Sequence, residues 1–224
     1  YGREEVGGLL VGCFDRNAKP LPVEALPDDF SFGLLDEDWD QFGPYVPGAI
    51  ERFPVLETTE IRTLLNGPES FTPDGVMMMG EAPELGGFHV LAGMNSGGIA
   101  LSSSGGVLAE WMIEGAPPID VSAIDIRRFS PAQNNLAYLR ARVRELPSFH
   151  FDVHGPAHDF KEGRGLRRSP LHERVEAAGA VFSSVVGFER PVCYGAADGW
   201  EAALADEYGA GRDAVALFDE SGGT

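Results

Sequence analysis

Residues 66–115 read NGPESFTPDGVMMMGEAPELGGFHVLAGMNSGGIALSSSGGVLAEWMIEG, and this stretch decides the fold. Residues 88–92 form an apolar run with glycines on both sides, which predicts a short buried strand. Residues 75–80 predict a second short strand, in which the three consecutive methionines serve as adaptable core packing. We therefore interpret the stretch as loop, strand, turn, strand and a helix led by glycines.

That helix is predicted over residues 97–114, because Asn95 and Ser96 are strong N-cap types and apolar residues then recur at helical spacing. The helix would hold several residues that each weaken it by roughly 1 kcal/mol relative to alanine, namely Gly97, Gly98, Gly105 and Gly106. One interpretation is that bare backbone amides at the positive end of the helix face an electron-rich ligand. The other is that the glycines let the helix lie close on a sheet, and spacing alone leaves both open.

Several segments resemble one family in both order and spacing. NGPESFTPDG, GEAPEL, AGMNSGGIA, LAEWMIEGAPPIDV and DIRRF resemble the C-terminal part of the flavin domain in the dimethylglycine dehydrogenase and sarcosine dehydrogenase family, which belongs to the D-amino-acid-oxidase-like flavoenzymes. RGLRRSPLHERVEAAGAVFSSVVGFERPVCYG and AVALFDES resemble the start of the folate-binding aminomethyltransferase domain in the same family. The resemblance covers nearly the whole chain.

The resemblance implies an α+β chain with three parts. Residues 1–117 would be the C-terminal part of an FAD-dependent oxidoreductase domain, with a mixed or antiparallel sheet plus helices. Residues 118–165 would be a small central α+β domain, and residues 166–224 the incomplete beginning of an aminomethyltransferase-like domain. The family's GxGxxG segment and its catalytic groups would lie upstream of Tyr1, so we expect the chain to be an internal fragment that is inactive alone.

The resemblance also implies a function, the oxidative demethylation of an N-methylated glycine derivative such as dimethylglycine or sarcosine. FAD would be the cofactor, oxygen or an electron-transfer protein would accept the electrons, and tetrahydrofolate would take up the one-carbon unit. By resemblance the residues that contact the flavin are Asp74, Gly93, Asn95, Ser96, Gly97, Gly98 and Ile99. Asp74 either accepts a hydrogen bond from a flavin-side group or only orders the TPDG turn.

Two rival functions stay open at this point. The whole protein could be a folate-dependent aminomethyltransferase whose flavin half is degenerate, and the segments 164–179 and 215–221 would then matter most. Alternatively, the chain could be a non-catalytic module that serves in interaction or as a scaffold.

Composition excludes some partners. The formal net charge is −18, which argues against nucleic acid because phosphate contacts need clustered lysine and arginine. No apolar run reaches the length of a membrane span. Cys13 and Cys193 match no CxxC spacing, so we expect two reduced thiols and a cytoplasmic location, with organelle targeting left open.

The histidines do not predict a metal site. His150, His154 and His158 have a spacing that suits one face of a helix, but Gly155 and Pro156 would break that helix. We therefore expect no bound metal, which a zinc titration without stoichiometric uptake would test.

The remaining patterns predict further elements. A β-hairpin is expected over residues 1–14, a helix broken near Gly43 to Gly48 over 36–53, and strands at 56–65 and from DIRRF onward. A helix is expected over 134–146, with Leu136 inward and Arg142 outward. A short helix at 171–178 should precede a strand.

Overall fold

The computed structural model describes residues 1–95, 103–152, 158–195 and 199–221. In these ranges the chain forms helices and two-stranded antiparallel sheets, which confirms the predicted α+β class. The strands are β1 (Gly2–Glu5), β2 (Gly8–Val11), β3 (Met78–Glu81), β4 (His89–Ala92), β5 (Ala180–Val185) and β6 (Phe188–Tyr194). The helices are α1 (Trp39–Phe42), α2 (Val46–Arg52), α3 (Ser104–Glu114), α4 (Leu136–Phe151), α5 (His172–Ala177) and α6 (Trp200–Asp213).

The β3–β4 hairpin and α3 enclose the main apolar core. β3 pairs antiparallel with β4, with Met79 opposite Leu91. Met79 is 1% exposed, so the predicted use of methionine as core packing is confirmed there. The buried members of this core are Met77, Met79, Leu108, Trp111 and Val121.

The core also includes a segment from later in the chain. The backbone N–H of Met79 donates to Ile124 O at 2.8 Å, and Met79 forms an isolated parallel bridge with Asp125. Residues 121–125 therefore extend the hairpin on its β3 side. This attachment fixes where the next residues, including Arg128, meet the hairpin.

Helix α3 covers Ser104–Glu114, and the start predicted at residue 97 lies outside the residues that the structure describes. Gly105 and Gly106 fall in its first turn, where a poor helix former weakens the helix less than in the middle. The helix ends at Gly115, whose φ of 77° is a left-handed conformation that suits glycine. A Cβ built on Gly105 or Gly106 would meet no atom of the described residues within 4 Å, so close packing on the β3–β4 hairpin does not explain these two glycines.

Two strand predictions were wrong. Residues 59–65 form no regular element and Ile61 and Leu65 are exposed, because β-branched residues make a strand only where a partner strand is available. The DIRRF segment forms a short 3-10 helix at Ile126–Arg128, since the Asp125 carboxylate accepts from the Arg127 N–H and caps it.

Helix α4 was predicted correctly as a helix but wrongly as to one face. Leu136 is exposed, whereas Arg142 is only 1% exposed. The Arg142 guanidinium lies over the Phe160 ring, 4.0 Å from its centroid, and donates to Gly163 O at 3.2 Å. The Phe160 ring and the Gly163 carbonyl lie beyond α4 in the sequence. They bury an arginine side chain that the helical pattern predicted to face solvent.

The other predictions of elements hold. The hairpin near the start is β1–β2, and the expected break between two helical segments is a 3-10 turn at Gly43–Tyr45 between α1 and α2. Ser169 precedes α5, and its hydroxyl accepts from the Leu171 N–H at 2.9 Å. No described helix is both long and apolar enough to cross a lipid bilayer.

Candidate functional site

Three of the residues expected at the flavin meet at one corner of the β3–β4 hairpin. The corner contains the turn at residues 72–75, closed by a hydrogen bond from the Gly75 N–H to Thr72 O at 3.1 Å. Gly93 follows β4 with a φ of 71°, and a Cβ on it would lie 2.3 Å from Thr72 Cγ2. Asn95 Nδ2 donates to Gly75 O at 3.0 Å. The turn and the end of β4 are therefore in direct contact.

The Asp74 carboxylate lies within this corner and is held from two sides. Its Oδ1 accepts from the Val76 N–H at 3.1 Å and from Thr72 Oγ1 at 3.0 Å, which orders the turn. Its two oxygens also accept from Arg128, at 2.7 Å from Nε and 2.9 Å from Nη2. The structure thus gives Asp74 a turn-ordering role, and its contact with a flavin stays a prediction.

Arg128 is the other half of this arrangement. Its side chain is 9% exposed, and that of Asp74 is 18% exposed. The guanidinium also donates to the carbonyl oxygens of Val76 at 2.8 Å, Met77 at 3.1 Å and Asp125 at 3.1 Å. One arginine therefore joins the turn, the two residues before β3 and the Ile126–Arg128 helix.

Asp125 stabilises the short Ile126–Arg128 helix, which carries Arg128. Burial alone would raise the pKa of its carboxyl, but hydrogen bonds from the Arg127 side chain and backbone outweigh burial and lower the pKa. The Arg127 side chain is 60% exposed, and its described hydrogen bonds go to Asp125. The two neighbouring arginines thus differ, because only Arg128 reaches the turn.

The expected site residues have different outcomes. Asp74, Gly93 and Asn95 come together, whereas Ser96, Gly97, Gly98 and Ile99 lie outside the residues that the structure describes. Asn95 donates to a turn carbonyl, and the backbone amides that it was predicted to cap lie outside the described residues. Sequence reasoning missed Arg128, whose only signal was the paired arginines of DIRRF.

The first turn of α3 lies next to this corner and is compatible with a flavin. Ser104 Oγ is 4.0 Å from Met77 Sδ, which places the helix start beside the residues just before β3 whose carbonyls accept from Arg128. Ser103, at the N-cap position, makes no side-chain capping hydrogen bond. No described residue fills the space beside Gly105 and Gly106, and the positive end of a helix suits the electron-rich edge of an isoalloxazine ring.

The histidine cluster is only partly described. His154 and the side chain of His150 lie outside the described residues, and His158 stacks on Phe149 with ring centroids 5.5 Å apart. Within the described ranges no three His, Cys, Asp or Glu side chains are grouped to hold a metal ion. Cys13 and Cys193 are both free thiols, as predicted.

Comparison with known proteins adds a family match and several relatives. Residues 114–169 match the family model of the FAD dependent oxidoreductase central domain. The chain is 40% identical over 234 residues to a 4-methylaminobutanoate oxidase (formaldehyde-forming) of Paenarthrobacter nicotinovorans, an alignment that covers 99% of this chain and 28% of that protein. It is 41% identical over 212 residues to mouse mitochondrial sarcosine dehydrogenase, covering 94% of this chain and 23% of the relative.

A relative of another kind is equally similar. The chain is 44% identical over 192 residues to the mouse mitochondrial pyruvate dehydrogenase phosphatase regulatory subunit, covering 85% of this chain and 22% of that protein. The chain thus spans 22% to 28% of the length of these three relatives.

Proposed function

Because this chain belongs to the family of FAD-dependent oxidoreductases that contains sarcosine dehydrogenase and dimethylglycine dehydrogenase, we propose that the whole protein oxidises an N-methylated amino acid. The observation that carries the proposal is the alignment with an N-methyl amino acid oxidase along 99% of the chain. The names of these oxidoreductase relatives point to substrates with an N-methyl group and a carboxylate, such as sarcosine, dimethylglycine or 4-methylaminobutanoate.

FAD, when bound, would accept a hydride from the N-methyl carbon of the substrate. The contribution of this chain would be to hold one edge of the flavin at the corner of the β3–β4 hairpin. Gly93 and Asn95 would fix the segment after β4 at this corner. Backbone N–H groups would then be offered to the flavin by the next four residues, Ser96, Gly97, Gly98 and Ile99. Such preorganised donors stabilise negative charge as it develops on the ring.

The finer parts of the proposal concern the rest of the protein. We propose the division into residues 1–117, 118–165 and 166–224, and that the last part belongs to a folate-binding domain in which tetrahydrofolate captures the one-carbon unit. Oxygen or an electron-transfer protein would reoxidise the flavin. We propose a cytoplasmic location for the protein.

The test is an anaerobic titration of the purified whole protein. We expect it to contain flavin, and we expect sarcosine, dimethylglycine or 4-methylaminobutanoate to bleach the visible flavin absorbance. Glycine and 4-aminobutanoate are matched controls because they lack the N-methyl group. A flavin that stays oxidised with every N-methyl compound would contradict the proposal.

A second candidate is supported by the similarity to a regulatory subunit. At 44% identity to the mouse phosphatase regulatory subunit, this chain is also compatible with a whole protein that regulates a partner enzyme without oxidising a substrate. The same titration separates the two functions. A regulatory protein would show no bleaching by N-methyl amino acids, and its partner would be sought by purifying the whole protein with its bound proteins.

A third candidate is one-carbon transfer without flavin chemistry, which the similarity of residues 164–195 to a folate-binding domain supports. In that case the protein would lack flavin yet bind tetrahydrofolate. Measuring both ligands on one preparation distinguishes this function from the other two.

A further inference from the structure

Two separate anchors hold the turn at residues 72–75. Asn95 donates to its last carbonyl, Gly75 O, at 3.0 Å. Arg128 forms a two-point ion pair with Asp74 in the same turn, at 2.7 and 2.9 Å. The turn therefore connects Arg128 to Asn95, the last described residue before the segment that the proposed function places against the flavin.

We propose that Arg128 is a positioning residue for the flavin site, acting through the Asp74 turn on Asn95. This inference rests on the proposed function. Arg128 lies within residues 114–169, the range that matches the oxidoreductase central domain, whereas Asp74 and Asn95 lie before it. The start of the central domain would thus complete a flavin site that is otherwise built from the preceding part of the chain.

The contacts of Arg128 make it suited to this role. A planar guanidinium can bind both carboxylate oxygens of Asp74 and still reach the carbonyls of Val76, Met77 and Asp125. Burial of the ion pair means that removal of one partner leaves the other without compensation. Lysine keeps the charge but cannot reproduce the two-point geometry, so it should loosen the turn without removing the cation.

The experiment compares Arg128→Lys with Arg127→Lys in the FAD-loaded whole protein. Arg127 is the matched control because it is adjacent and also ion-paired, yet its described hydrogen bonds end at Asp125. We expect Arg128→Lys to shift the flavin absorption maxima and the midpoint potential of the bound flavin, and to lower flavin content about tenfold at limiting FAD. Arg127→Lys should leave all three readouts at the wild-type values.

A double-mutant cycle tests the route through Asn95. Asn95→Ala removes the hydrogen bond to Gly75 O, so if Arg128 acts through this corner the two changes affect the same contact. We expect the Asn95→Ala and Arg128→Lys double variant to shift the flavin potential by clearly less than the sum of the single shifts. If Arg128→Lys does not fold, Asp74→Asn replaces it in the same cycle.

Wild-type flavin properties in Arg128→Lys, or strictly additive shifts in the cycle, would overturn the inference. Neither readout needs a substrate, so the inference can fail while the proposed oxidation stands. A wild-type protein that holds flavin without being reduced by N-methyl amino acids would contradict the proposed function alone. A wild-type protein that binds no flavin would overturn both.

Discussion

Glu189 shows how single buried charges stabilise this chain. The residue is 5% exposed, and its Oε1 accepts from Arg164 Nε at 2.9 Å and from the Gly165 N–H at 2.7 Å. Arg164 in turn donates to Phe160 O at 3.0 Å and Phe182 O at 2.9 Å. The pair therefore ties β5 and β6 to the loop that precedes α5.

Replacing Glu189 by alanine should lower the free energy of unfolding by about 2–3 kcal/mol, because it removes the nearer of the two carboxylates that pair with Arg164 and leaves the Gly165 N–H without its acceptor. Asp159, at 3.3 Å, stays as the second partner of Arg164. The measurement is urea unfolding of the 224-residue chain. Glu5→Ala is the control, since the Arg3–Glu5 pair is exposed on both sides and should contribute less than about 1 kcal/mol. Equal effects of the two changes would contradict this account.

The same pair predicts a pH dependence. Burial by itself raises the pKa of Glu189, but the hydrogen bonds from Arg164 and from the Gly165 N–H outweigh it, and the pKa is lowered on folding. A carboxyl whose pKa is lowered on folding stabilises the protein above its unfolded pKa, about 4.3 for glutamate, and this stabilisation is lost as pH falls through the lower folded pKa. We expect the stability difference between wild type and Glu189→Gln to be full at neutral pH and to shrink below about pH 4. A difference that is constant from neutral to acidic pH would argue against the prediction.

At the residue scale, the sequence predicted contacts that local chemistry determines. The TPDG turn and the glycine after β4 were recognisable from the local sequence. Asp74, Gly93 and Asn95, which the family resemblance placed at the flavin, lie together at one corner, and their contact with a flavin stays a prediction. Arg128 was missed because it is 54 positions from Asp74, and no local pattern reports such a partner. Arg142 was predicted to face solvent for the same reason, since the aromatic ring over it belongs to a later loop.

Among the elements, α3 connects most directly to the candidate site. Its first turn holds Gly105 and Gly106, and its later residues Leu108 and Trp111 fill the core under the β3–β4 hairpin. The helix is therefore anchored from Leu108 onward, and its glycines make no packing contact with the described residues.

Gly105→Ala should stabilise the chain by about 0.5–1 kcal/mol, because alanine favours the helix and its Cβ meets open space. Gly93→Ala should instead destabilise the chain by at least about 1–2 kcal/mol, since φ is positive there and the Cβ would clash with Thr72. Thermal unfolding of both variants checks the prediction. A stabilised Gly93→Ala would show that the turn and the end of β4 are not in contact.

Secondary-structure elements were predictable where their sequence signals are local. Hairpins closed by glycine turns and helices with caps were recognised, because their signals lie within a few residues. Residues 56–65 were wrongly predicted as a strand because strand formation depends on a partner that sequence does not reveal. DIRRF formed a capped turn because the Asp125 carboxylate accepts a hydrogen bond from the Arg127 N–H.

At the scale of the whole molecule, the excess of acidic side chains causes electrostatic repulsion within the chain. The chain carries 35 acidic and 17 basic residues, which give a net charge of −18. Self-repulsion of this size weakens the compact state, and salt screens it over about 10 Å at 0.1 M.

We therefore expect the melting temperature of the 224-residue chain to rise when sodium chloride is raised from about 0.01 M to about 0.15 M. Sodium chloride and potassium chloride should act alike if screening is the cause. A melting temperature that falls with salt would show that surface ion pairs outweigh the repulsion.

The central claim concerns where the flavin lies in the whole protein. The most direct measurement is an experimental structure of that protein with FAD bound. We predict that the isoalloxazine ring contacts the segment that begins at Asn95, with Asp74 still paired to Arg128 behind it. An isoalloxazine ring bound by other segments, with the Asn95 corner away from it, would contradict the account.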